Sequence, residues 1–315
     1  GSRSFVPGFD VWDDHGHGTA VAGVLAANGR TRGVAPGVGL RAYRVFAPVP
    51  TPLSNIALAI RAAADDGCDV INMSFGSMNV RGQIFFVDPA TGERIATGNE
   101  VPQMVMLQRA LRYAVNRGAV VVGGAGNDGI DLTNRHAVAE RINQKLRAQG
   151  QPFEVEGSAV HVPGSLAGAL TVSWAGGGWG TADRLAHGAS WGHGIVDVAA
   201  PGGDLGPLYP AVLEPGAYKY LVLSTRPTYL PCGGLVKALG LCGYGFGAGT
   251  SLGIPAVAGA AALVISEEYA RTGKKPTPAQ VVARLQQSSE DLGQSGYDAS
   301  FGHGMLDVLR ALTLR

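Results

Sequence analysis

Apolar residues fall into short unbroken runs rich in Val and Ile: Leu40 to Phe46, Asp69 to Phe75, Ala119 to Val122, Leu170 to Trp174 and Ile195 to Ala199. Runs of that length without polar alternation describe strands covered on both faces, the pattern of a parallel sheet. Helical spacing falls between and after them, at Asn55 to Asp66, Gln103 to Asn116, Leu252 to Arg271 and Pro278 to Ser288. Thr277 is placed to cap the last of these, with Pro278 in its first helical position. The alternation predicts an α/β fold, a mostly parallel central sheet with helices on both faces. Two segments interrupt it. Gln83 to Thr97 has the form of a hairpin turning at Asp88 to Gly92. Asn134 to Gln149 reads as a surface helix, a solvated insertion with Val138, Ile142 and Leu146 at fourfold spacing among charged residues.

Composition narrows the class. With 46% hydrophobic and 16% charged residues, the 315-residue chain has ample core and too little charge to be a disordered or solvating protein. A net charge of +1 gives no global attraction to nucleic acid or to an anionic membrane, so partners must come from a site. The longest uncharged run, Ala238 to Ser266, is broken by Gly, Ser, Thr and Pro and does not read as a membrane span. Cys232 and Cys242 flank a short Gly-rich segment; a disulfide in an oxidising compartment and two free thiols both remain open. Cys68 reads as a small buried hydrophobe. No internal repeat or linker is visible, which favours one domain over residues 1–315.

Three segments combine reactive side chains with small residues. In Asp14-His15-Gly16-His17-Gly18-Thr19-Ala20-Val21-Ala22-Gly23, His17 stands at the mouth of an apolar helix. His15 and His17 would point apart there, and no third ligand is near, which argues against a metal. Gly123-Gly124-Ala125-Gly126-Asn127-Asp128-Gly129 follows a strand at its carboxyl end, where α/β sheets gather ligands. The Asn127 amide there can donate to developing negative charge, although an Asn-Asp-Gly turn alone would account for the pattern. In Gly249-Thr250-Ser251-Leu252-Gly253-Ile254-Pro255-Ala256-Val257-Ala258-Gly259, Ser251 stands at the amino end of a helix apolar all round, as an oxyanion-side nucleophile or as a simple N-cap.

Together these blocks resemble the subtilisin-like serine proteases, the subtilases: His17-Gly18-Thr19-Ala20-Val21-Ala22-Gly23, Ala125-Gly126-Asn127, and Gly249-Thr250-Ser251 running to Pro255-Ala256-Val257-Ala258-Gly259. Gly33-Val34-Ala35-Pro36, Ile71-Asn72-Met73-Ser74-Phe75-Gly76, Ala200-Pro201-Gly202 and Gly302-His303-Gly304-Met305-Leu306-Asp307 fall in family order around them. The resemblance spans nearly the whole chain, with insertions at about 77–102, 134–156 and 227–243. It implies a subtilisin-like three-layer fold and a serine endopeptidase with Ser251 as nucleophile, His17 as general base and acid, and Asn127 in the oxyanion hole. It implies that Ser74, Phe75 and Gly76 pair with an extended polypeptide substrate, and that Gly124 and Ala125 line the pocket for the residue before the cut. Asp128 is then placed at the pocket rim, favouring a basic residue, and Val162-Pro163 is a candidate cis peptide. The hairpin should overhang distant subsites, its loss altering preference more than stability. The chemistry requires no cofactor and no metal; structural calcium has no assignable site, and the short basic turn Asn28 to Gly33 lacks one family calcium loop. A monomer outside the cell or at its envelope is the family expectation.

The chain departs from the family in one respect. The third catalytic residue, an Asp ending an early strand, should precede the His by some tens of residues, and only 16 residues precede His17. Asp10, Asp13 and Asp14 lie in a turn-like loop, so none is assigned the role; the strand and its Asp are expected upstream of Gly1. The 315-residue chain alone is accordingly expected to be weakly active or inactive and poorly stable. Two rival readings follow: a non-catalytic binding module on the same scaffold, and an esterase, since Gly249, Ser251 and Gly253 fit a nucleophile elbow. His187, His193 and His303, with Trp12, Trp174, Trp179 and Trp191, read as structural or surface residues.

Overall fold

The β-branched runs become the middle of a parallel sheet. The computed structural model describes residues 1–49, 51–177, 182–209, 211 and 215–314. Helices α1 (His17–Ala26) and α2 (Leu53–Asp65) precede strand β1 (Val70–Asn72), and α3 (Val101–Asn116) leads into β2 (Val120–Gly124). Then follow α4 (Arg135–Ala148), β3 (Ala169–Gly176), β4 (Val198–Pro201), α5 (Thr250–Thr272) and α6 (Pro278–Ser288). β1 pairs with β2, β2 with β3 and β3 with β4, all parallel.

β2 shows why this makes three layers. Side chains alternate along a strand, so Val121 enters the core beneath α2 and α3, with Ile56, Ile60, Leu107 and Leu111. Val120 and Val122 enter the opposite core with Ile254, Val257, Val264 and Leu285 from α5 and α6. The α/β architecture predicted from the sequence is therefore present. α5 is long and apolar enough to cross a membrane, but its apolar residues are spent inside this core, where Leu252 to Ala261 are all buried. α6 carries the expected cap: Thr277 and Gln280 form a reciprocal capping box.

Two of the expected strands differ. Of 40–46 only Tyr43–Arg44 is strand, pairing in parallel with Arg3–Ser4 in a turn-like segment not read as strand. That pair is not hydrogen-bonded to β1 among the described residues. Without that second neighbour, Leu40 and Phe46 stay 51% exposed. The run at 195–199 starts late, at Val198, because Ile195 and Val196 turn back onto Gly192 through backbone bonds.

The helix at 134–149 is not merely a solvated insertion. Val138 and Ala139 of α4 are buried with Val80, Val155 and Ala159, and Ile142 and Leu146 pack against them. The hairpin forms as Gln83–Val87 and Arg94–Gly98, and Phe153–Glu156 adds a third strand to it. Asn143 joins helix to sheet: its side chain accepts from the Val155 N–H at 2.7 Å and donates to the Val155 carbonyl at 2.8 Å. The strand Phe153–Glu156 joins the two interruptions: it is bonded to α4 on one side and to the hairpin on the other, where Ile84 packs against the buried cluster while Arg94 to Thr97 of the outer strand stay exposed. Cys232 and Cys242 are disulfide-bonded, which settles the alternative left open. Cys68 is half-buried, less than expected, with its sulfur 3.6 Å from the Tyr43 hydroxyl.

Asn143→Ala leaves two buried backbone groups without partners, at about 1–3 kcal/mol each. We expect it to lower stability by about 2–4 kcal/mol, read as a shift of the urea midpoint at unchanged slope.

Candidate active site

His17 is the first residue of α1, and the turn before the helix is built to hold it there. Gly16 takes φ 95°, a left-handed conformation that favours Gly. The Asp13 carboxylate accepts from the backbone N–H groups of His15 (3.1 Å), Gly16 (2.7 Å) and Thr19 (2.7 Å), and from the Thr19 hydroxyl (2.7 Å). Partial burial pushes this carboxyl up, but the bonds from Thr19, Gly16 and His15 outweigh that and hold it below the usual carboxylate value. Asp13 thus serves the otherwise unsatisfied amides of the helix start. Asp10 accepts from the Trp12 N–H, and Asp14 pairs with Arg44 at 2.7 Å. None of the three carboxylates is bonded to the His17 ring, as the sequence led us to expect, and no other carboxylate among the described residues is. Burial, then the neighbouring His15, hold the His17 imidazole below its ordinary 6.5, with Asp13 pulling the other way. Burial thus favours the neutral form of this imidazole.

Ser251 lies in the first turn of α5, and the packing of α1 on α5 sets the relation between the two. A Cβ at Gly259 would meet the Val34 Cβ at 2.9 Å and the Leu25 carbonyl at 3.5 Å. Leu25 is eight residues beyond His17 and Gly259 eight beyond Ser251, so both helices have risen about 12 Å where they touch. Gly16 and Ala20 at the start of α1 line one small cavity with Leu252 at the start of α5, so His17 and Ser251 stand at the same end of the helix pair. The side chains are not hydrogen-bonded to one another among the described residues; the Ser251 hydroxyl donates instead to the Ser74 carbonyl at 3.1 Å.

Asn127 follows β2 and faces α5. Its Oδ1 accepts from the Thr250 N–H and the Thr250 hydroxyl, both at 2.9 Å. That pair of bonds fixes which end of the amide is oxygen and leaves Nδ2 a donor with no partner among the described residues. The Ser251 N–H lies among the first-turn amides that have no helical acceptor. Gly249, at φ 138°, places its α-carbon against Asn127, where a Cβ would sit 3.3 Å from Oδ1. Two donors and a hydroxyl thus converge at a helix N-terminus, an arrangement suited to an oxyanion.

The residues read from the sequence as substrate-binding surround this end of α5. Ser74 is buried and its carbonyl accepts from the Ser251 hydroxyl; Gly76 is exposed, while half-buried Phe75 turns its ring onto Phe46. Gly124 and Ala125 are buried, with Ala125 in the cluster under α4, so only their backbone can border a pocket. Asp128 requires correction. Its carboxylate pairs with Lys145 of α4 at 2.5 Å and its carbonyl accepts from Arg141 at 2.7 Å, so the basis for a preference for basic residues is gone. The Val162–Pro163 bond is cis, as anticipated. His161, not singled out in the sequence, lies buried between Gly76 and Gly126. A single His in an apolar strand carries no signal of its own.

The other aromatic and histidine residues behave as structural groups. His193 and His303 stand edge-on to Tyr297 at 5.0 and 5.1 Å, and His187 to Tyr209 at 5.4 Å. Trp174 is buried, exposed Trp12 stands edge-on to Tyr229, and Trp179 lies outside the described residues. The esterase reading fails on context. Tyr244–Gly247, which precedes Ser251, pairs antiparallel with Val222–Thr225 and is not a strand of the main sheet, as a nucleophile elbow demands.

Fold and site together define a subtilisin-like peptidase scaffold. Residues 7–304 match the peptidase S8 family, and the chain belongs to the subtilase family. It is 27% identical over 305 residues to the epidermin leader peptide-processing serine protease EpiP of Staphylococcus epidermidis, covering 95% of this chain and 59% of EpiP. The crystal structure of a lanthipeptide protease superposes with a TM-score of 0.75 at 30% identity, covering 100% of this chain and 80% of that one. EpiP of Staphylococcus aureus gives a TM-score of 0.76 at 30% identity, over 99% and 69% of the two chains.

Asp13→Ala should lower stability by about 1–2 kcal/mol through loss of the helix cap, while leaving the reactivity of Ser251 towards a fluorophosphonate within a few-fold of the parent. A loss of about 10⁴-fold would make Asp13 the catalytic carboxylate instead.

Proposed function

We propose that this protein is a serine endopeptidase that cleaves polypeptides bound in extended form. The observation that carries the reading is the meeting of Ser251, its free backbone N–H and the free Asn127 Nδ2 at the amino end of a buried helix, beside the Ser74 carbonyl. Both donors of an oxyanion hole are supplied by groups already fixed by other bonds, so little reorganisation accompanies the reaction.

The Ser251 Oγ attacks the scissile carbonyl carbon as its proton passes to His17. The carbonyl π pair moves onto oxygen, held by Asn127 Nδ2 and the Ser251 N–H. Collapse of the tetrahedral species breaks the C–N bond, and His17 returns the proton to the departing amine. Water then takes the place of the hydroxyl in the mirror-image sequence and frees the acid. The exposed backbone at Gly76, leading on from Ser74, is the edge along which an extended peptide would pair. The carboxylate that would orient His17 is the one group of the usual three that the described residues do not supply. In related enzymes its loss costs about 10⁴-fold in turnover, leaving a residue of catalysis from the oxyanion hole and binding.

Two lines extend the reading to substrate and place. Relatives with this fold are described as leader peptide-processing proteases, which supports removal of a leader from a precursor peptide. The Cys232–Cys242 disulfide supports an oxidising location, outside the cell or at its envelope.

A fluorophosphonate probe should label the protein at Ser251, and Ser251→Ala should abolish labelling; an unlabelled parent would leave a binding module. Asn127→Leu should lower kcat on a peptide ester by about 10²–10³-fold with little change in KM. The acid limb of kcat/KM should fall below the ordinary imidazole value of 6.5, because the lowered His17 keeps its base form to lower pH.

A further inference from the structure

His161 belongs to the strand Ala159–Val162, which pairs antiparallel with Ser77–Val80, and its side chain is 5% exposed. Its ring lies between two backbone segments. A Cβ built on Gly76 would come within 2.7 Å of the imidazole Nε2, and one built on Gly126 would also meet Nε2 at 2.7 Å. The imidazole therefore touches the backbone on both sides and spans the space between Ser74-Phe75-Gly76 and Gly124-Ala125-Gly126. Only Gly at 76 and 126 tolerates it there.

Those are the two segments between which a peptide paired along Gly76 would insert the side chain preceding the cut. We propose that His161 is the residue that sets the enzyme's specificity, forming a raised floor that limits this pocket to a small, uncharged side chain such as Ala or Ser. The inference rests on the peptidase reading given above. Further observations agree with it. The ring Nδ1 is buried with no hydrogen-bond partner among the described residues, and the Gly124 backbone lies against the ring. Burial holds the imidazole neutral, down to about 4, against the pull of Asp128. Asp128 itself is paired with Lys145, so the floor offers no free charge to a charged side chain. A Lys, Arg or Glu entering would be desolvated without an opposite charge to pair with.

The test uses peptidyl diphenyl phosphonates that differ only in the residue preceding the phosphorus, with covalent capture of Ser251 followed by mass spectrometry. A small alkyl fluorophosphonate gives the intrinsic reactivity of the nucleophile in each variant. The parent should react faster with the Ala probe than with the Phe, Arg or Glu probes. His161→Gly should raise the Phe/Ala rate ratio by about 10–100-fold at unchanged fluorophosphonate reactivity, with His161→Ser giving a smaller rise. Preference of the parent for Phe, Arg or Glu would overturn the proposal, whether or not the variants fold. An unchanged ratio in a folded His161→Gly would overturn it as well. Absence of all labelling by the fluorophosphonate would instead overturn the peptidase reading itself.

Discussion

The close approach of α1 to α5 is the constraint on which the site depends. Side chains of ordinary size would hold two helices 8–10 Å apart and let them slide. Here Gly259 meets Val34 and the Leu25 carbonyl directly. On its other side α1 is fastened to the strand Val222–Thr225, where Ser224 and Thr225 donate their hydroxyls to the carbonyls of Ala20 and Thr19 at 2.6 and 2.8 Å. Gly23 lies so near this strand that a Cβ would stand 2.9 Å from the Thr225 N–H. Gly23 thus seats α1 on that strand and Gly259 seats α5 against Val34, just beyond α1, with His17 and Ser251 at one end. The cost of Gly in a helix, about 0.5–1 kcal/mol each, is set against a register that no flexible contact would keep.

The parts of this arrangement that were legible in the sequence are those in which backbone geometry dictates residue type. Gly16, Gly249 and the helix that follows each must be as they are for the chain to turn and pack, so their spacing survived as readable blocks. The central strands were legible because burial on both faces forces continuous Val and Ile. Leu40 to Phe46 shows the limit: its composition matches a buried strand, but whether a second neighbour exists is a property of the sheet and not of the run. The α4 insertion misled for a related reason. Its charged majority marks the solvent face correctly, yet three apolar positions suffice to dock a helix of this length when the partner strand is joined by a side chain such as Asn143. His161 was illegible because its significance lies wholly in two distant glycines.

The charges around the site are arranged by occupation. Asp13 sits near His17, but four donors from His15, Gly16 and Thr19 already claim it, which leaves it as a helix cap and not as a partner for the imidazole. Asp128 sits beside Asn127 but is claimed by Lys145. A carboxylate read from sequence proximity alone would have been given a catalytic or specificity role in either place. What decides is how many of its lone pairs are already satisfied, since a filled carboxylate has little left to offer a substrate or a neighbouring ring.

That occupation also gives the insertion a bearing on the reaction. Arg141 and Lys145 of α4 grip Asp128 by its carbonyl and its carboxylate, one residue past Asn127. On its other side Asn127 is held by the two bonds from Thr250. Asn127 is thus suspended between α5 and α4, and the aim of its amide depends on both. A hydrogen bond that must strengthen only as charge develops gains most when its donor cannot relax towards the ground state. Bonding α4 to the strand Phe153–Glu156 through Asn143 supplies that stiffness from outside the helix pair, so a segment that looks peripheral in sequence becomes part of what holds Asn127 in place.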